Sequence, residues 1–85
     1  MILNDATLPD SIKTEGRRLL KLINGSADHQ SLHAAGQLAE GVVRGFEVVR
    51  ALRAADIEAL YFVFENAVDA RLAELAAAHL RNISG

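Results

Sequence analysis

Along most of the chain, apolar residues recur three and four positions apart, and where that spacing lapses the residues are turn formers, the pattern of amphipathic helices joined by short connections. The spacing predicts three helices, over about residues 8–23, 28–53 and 57–81. In the first, Leu8, Ile12, Leu19, Leu20 and Ile23 share one side, while Lys13, Arg17 and Lys21 form a row on another. Thr7 is the expected N-cap. Pro9 suits the first turn because its missing N–H would be unpaired there, and Asp10 faces the positive end of the helix dipole. Asn24-Gly25 ends the helix.

The second helix, capped by Ser26 or Asp28, has two apolar faces. One carries Leu32, Ala35, Ala39, Val42, Phe46 and Val49. The other carries Ala34, Leu38, Gly41, Gly45, Val48 and Leu52. A narrow polar strip with His33, Glu40, Arg44 and Glu47 runs between them. Valine and phenylalanine also favour strands, so residues 41–49 could be read as a β-hairpin turning at Arg44-Gly45. Neither alternating register is clean there, and the helical series is unbroken, so helix is the expectation. Asp56 is the expected N-cap of the third helix, whose main face carries Ile57, Leu60, Tyr61, Phe64, Val68, Leu72 and Leu75. A second, alanine-rich side includes Phe62, Val63, Ala70 and Ala77. Residues 82–85 should fray.

Two long helices joined by a short turn fold back on each other as an antiparallel hairpin. Each has an apolar face left over, and the short first helix can cover only part of that surface. The chain therefore reads as all-α: a short N-terminal helix plus a long antiparallel helical hairpin, one domain, paired with a second copy as a dimeric helical bundle. The expected interface is Leu38, Gly41, Gly45, Val48, Leu52, Phe62, Val63, Ala70 and Ala77. Gly41 and Gly45 form a GxxxG pattern, a notch without Cβ atoms where another helix can come close. Its occupant could be a second chain or the first helix of the same chain, and a local kink is the third reading.

Composition sharpens the case for self-association. At 85 residues the chain buries only about 60–65% of the surface that it would expose unfolded, and small domains compensate with disulfides, metals or oligomerisation. It has no cysteine, so disulfides and thiolate zinc sites are excluded. The net charge of −2 provides no global field for nucleic acid or acidic membranes. Charge is uneven, however, with a sum of +1 over residues 1–25 (four basic, three acidic) and −3 over residues 56–85 (two basic, five acidic). No apolar run approaches the roughly 20 residues of a membrane span. The N-terminal segment lacks the features of a signal peptide, and the expected location is the cytoplasm.

Chemistry is sparse. His29 and His33 are four apart, and the hairpin would bring His79 to the same end, with Asp28 as a further donor, so these three histidines are the candidates for a metal site. Solvated or dipole-capping roles are the plainer reading, and no metal or other cofactor is expected. Lys13, Arg17, Arg18 and Lys21 are the candidate phosphate contacts of a nucleic-acid-binding face, though without interleaved aromatic residues. Arg44 pairs with Glu40 along the helix and in the hairpin register also falls near Glu65 and Asp69. No carboxylate, serine or histidine is tied to another as acid/base catalysis requires. The expected function is therefore non-enzymatic: a small regulatory or adaptor protein that binds other protein chains as a homodimer. A nucleic-acid-associated regulator using the basic face is the alternative, and a metal-binding bundle the second.

Overall fold

The computed structural model describes residues 8–84, and among them every regular element is an α-helix: α1 (Asp10–Asn24), α2 (His29–Val48) and α3 (Ala54–Ser84). The valine-rich stretch is helical through both glycines, so the β-hairpin reading does not hold. None of the three helices is long and apolar enough to cross a membrane.

The helix ends follow from local chemistry. Thr7, the expected first cap, lies outside the described residues. Pro9 takes the N-cap position of α1, and its carbonyl accepts from the N–H groups of Ile12 and Lys13 at 3.1 and 3.0 Å. At the other end Gly25 has φ −91°, so left-handed freedom is not its use. A Cβ at this position would lie 3.1 Å from the Lys21 carbonyl oxygen, which is the close approach that a glycine permits. Asp28 caps α2 in a reciprocal box: the Ser31 N–H donates to its carboxylate at 2.7 Å, and the Asp28 N–H donates to the Ser31 hydroxyl at 3.2 Å. The Ser31 N–H holds the Asp28 carboxyl below the usual carboxylate range.

The α2–α3 connection departs from expectation. Helix α2 stops at Val48 rather than reaching Arg53. The Ala51 N–H donates to the Phe46 carbonyl at 2.9 Å and the Arg50 N–H to the Glu47 carbonyl at 3.1 Å. This is a Schellman closure, with Arg50 at φ 54° in the left-handed position that glycine usually fills. No residue from Val49 to Arg53 forbids helix. The bend instead lets Leu52 pack against the core. Asp56 is not the N-cap of α3 either. The Arg53 carbonyl accepts from the Asp56 and Ile57 N–H groups at 3.0 and 3.1 Å, so the helix starts one turn earlier. Asp56 is its third residue, buried, with Arg53 Nε 3.4 Å from its carboxylate. At the C-terminal end α3 continues to Ser84, through three of the four residues expected to fray, and Gly85 lies outside the described residues.

The core gathers Leu8, Leu19 and Ile23 with Leu32, Ala39 and Val43 of α2 and Ile57, Leu60 and Phe64 of α3. The α1 and α3 sets match their expected faces. On α2 the buried residues are Leu32, Ala39 and Val43, with Gly36 half-buried on the same line, which is rotated from the expected one: Val43, assigned to neither apolar face, is fully buried, and Val49 is exposed. The most extensive contact is between α2 and α3, and α1 packs on both. The 31 residues of α3 give it a length of about 46 Å, close to the 49 Å long axis of the molecule. Arg71 secures its middle: Nε donates to the Ser26 carbonyl at 2.9 Å, tying α3 to the α1–α2 connection. Leu72, expected on the main face, is exposed, whereas Leu75, three residues further along α3, still packs against the core.

Candidate interaction site

Helix α2 carries three glycines in two settings. Gly36 faces α3, where an added Cβ would lie 3.3 Å from Val68 Cγ2. At Gly41 and Gly45 an added Cβ would meet nothing within 4 Å among the described residues. Each glycine in a helix interior costs about 1 kcal/mol relative to alanine. At Gly36 the close approach of α3 offsets that cost, and at the exposed pair no contact among the described residues does. Helix α1 does not occupy the notch, and α2 does not end at it.

The exposed pair belongs to a continuous uncharged strip opposite the core. Ala34 and Leu38 lie on one side of it and Val48 on the other, with Leu38 46% and Val48 75% exposed. Next to Val48, Val49 is 71% exposed at the start of the turn. The strip exists because Val42, Val43 and Phe46 supply the packing on the inner side. At its N-terminal end it borders a shallow, mostly apolar groove between α1 and α2, lined by Leu22, Ala34, Ala35 and Leu38.

The nine expected interface residues do not form one surface. Leu38, Gly41, Gly45 and Val48 share the outer side of α2. Leu52 lies beyond the end of the helix and packs against the core, as does Val63 on α3. Phe62, 59% exposed, and the exposed Ala70 and Ala77 belong to α3. Because α2 and α3 both turn toward a common core, their outer sides point away from each other.

A second concavity, about 530 Å³, runs along the α2–α3 seam. Gly36, Phe64 and Val68 contribute its floor, and His33, Glu65 and Asp69 its rim. Nearby, Arg44 donates to Glu40 of its own helix at 2.8 Å rather than reaching across to Glu65 or Asp69, and the Tyr61 hydroxyl is 3.5 Å from Glu47. His29, His33 and His79 are all exposed. Among the described residues no group of three histidine, aspartate or glutamate side chains is placed to hold a metal ion.

Of the candidate phosphate contacts, Lys13 is half-buried, and Arg17, Arg18 and Lys21 are exposed. Arg18 is engaged by Glu15 through both sides of its guanidinium, with Nε at 3.1 Å. This hydrogen bond holds the Glu15 carboxyl below, and the Arg18 guanidinium above, its ordinary range. Part of the basic face is thus neutralised within its own helix.

Sequence reasoning missed two positions that organise the fold. Gly36 falls on the line Leu32, Gly36, Ala39, Val43 at spacing four, three, four, a signal that the more conspicuous glycine pair masked. Arg71 carried no signal, because its acceptor is a backbone carbonyl 45 residues away. No protein-family model, curated protein or solved structure matches the chain.

Proposed function

We propose that this is a small non-enzymatic helical protein that acts by binding other protein chains, as a regulator or adaptor, and that its working form is a homodimer of antiparallel α2–α3 hairpins. Three residue pairs support the hairpin: Glu47 with Tyr61, Gly36 with Val68, and Ser26 with Arg71, so that α3 ascends as α2 descends. The observation that carries the dimer is the outer side of α2, uncharged through Ala34, Leu38, Gly41, Gly45 and Val48. A helix side meant only for water carries charges. This one exposes valine and leucine around a notch with no partner among the described residues.

Sedimentation velocity over a micromolar concentration series tests the reading. The expected result is a species of twice 9.2 kDa that dissociates on dilution, and Gly45→Glu should remain monomeric while keeping the helical content of the wild type. A 9.2 kDa species throughout the series removes the homodimer.

A further inference from the structure

The strip on α2 has an internal symmetry. Leu38, Gly41, Gly45 and Val48 are spaced three, four and three residues apart, large and small residues in the order large, small, small, large, and the sequence of spacings is the same in both directions about residue 43. A two-fold axis perpendicular to the helix at that level, which pairs two copies of α2 antiparallel, brings Leu38 of each copy beside Val48 of the other and Gly41 beside Gly45. A closed two-fold interface requires a surface that complements itself in this way.

Two further features agree with that pairing. Val48 and Val49 form an exposed apolar corner, and the groove of Leu22, Ala34 and Leu38 is shallow and mostly apolar. The same axis places the corner of each copy at the groove of the other. Charge bears on it too: at about 1.5 Å per residue, Arg44 of one copy falls within about 3 Å, measured along the axis, of both Glu40 and Arg44 of the other. The four groups then stand in the order Glu40, Arg44, Arg44, Glu40, in which the two central arginines each have a carboxylate of the other copy beside them in addition to the Glu40 of their own chain.

We infer that the partner of the α2 strip is the same strip of a second copy, antiparallel and centred on residue 43, with the Val48–Val49 corner of each chain seated in the Leu22–Ala34–Leu38 groove of the other. This assignment rests on the self-association proposed above and adds its register. The α2 segments overlap over only about three turns, which is small beside the roughly 800 Å² per partner of a standard interface. A weak dimer, with dissociation in the micromolar range, is the consequence.

Because the chain has no cysteine, introduced thiols report the register directly. Leu38→Cys and Val48→Cys are each prepared alone, and mixed, under mild oxidation. Paired thiols in a dimer have an effective concentration in the millimolar range, so the mixture should form its 38–48 cross-linked heterodimer at least about tenfold faster than either variant cross-links with itself. Faster self-cross-linking of either variant, or no preference in the mixture while sedimentation reports a dimer, overturns the register and leaves self-association standing. A chain that remains monomeric at high micromolar concentration overturns both. As a check that does not rely on thiols, Val48→Asp should abolish the dimer without loss of helical content, and a dimer unchanged by Val48→Asp also overturns the assignment.

Discussion

On α1 the side turned away from the core carries Arg17, Arg18 and Lys21, with Arg18 bonded to Glu15. The corresponding side of α2 carries Ala34, Leu38, Gly41, Gly45 and Val48. Both helices bury a conventional inner side, Leu19 and Ile23 on one and Leu32, Ala39 and Val43 on the other. The difference lies outward: α1 is finished toward water, and α2 is finished toward another apolar surface. In a chain this small the inner sides hold the fold, so α2's outer side can be changed without a loss of folding stability.

The largest test of that contrast is truncation on either side. Ile23→Ala, at a fully buried site, should cost about 2–5 kcal/mol, whereas Val48→Ala should leave the unfolding free energy of the dilute monomer nearly unchanged. Comparable losses in urea denaturation would remove the distinction. Next in size is Arg71→Ala, which leaves the Ser26 carbonyl without its charged donor and should cost about 1.5–3 kcal/mol. If the denaturation midpoint does not move, α3 is held by its apolar face alone.

The three glycines divide the comparison more finely. Alanine at position 41 or 45 should stabilise the dilute monomer by about 1 kcal/mol each through helix propensity. At position 36 the same gain is opposed by the new methyl group 3.3 Å from Val68 Cγ2, and valine has little χ1 freedom with which to yield. An equal rise in melting temperature for all three substitutions would contradict the close approach of α3. The smallest effect concerns the α2 cap. Because the folded state lowers the pKa of Asp28, its stabilising contribution is present above the unfolded pKa and is lost as pH falls through the folded one. Asp28→Asn retains a capping oxygen but no charge. The stability gap between it and wild type should therefore be open at neutral pH and close in acid, and a gap independent of pH would mean that the charge is not involved.

The helical spacing disclosed all three helices and the inner faces of α1 and α3, because leucine and isoleucine at three- and four-residue intervals leave little choice of side. On α2 the reading drifted, since valines at 42, 43, 48 and 49 offer several faces of similar hydrophobicity, and only tertiary packing selects Val43 for the core. The outward glycines were legible as a pair. Their lack of a neighbour among the described residues was not, since it depends on where α1 comes to rest. Arg71 was missed, and Asp56 was misassigned as an N-cap, for a shared reason: their roles depend on backbone groups or burial created by other segments.

The Arg50 turn has a consequence for the order of folding. From Val49 to Arg53 the chain is made of residues that a helix accepts, yet one arginine is held left-handed and Leu52 is docked on the core. Local preference and the final structure disagree here, where a consistent sequence would have the two agree. The bend lacks a signal of its own, so it should form only when the apolar sides of α2 and α3 have already met. Substitutions at Arg50 and Leu52 should therefore accelerate unfolding while leaving the rate of folding almost unchanged. The corner that completes the molecule would then be the last part of it to form.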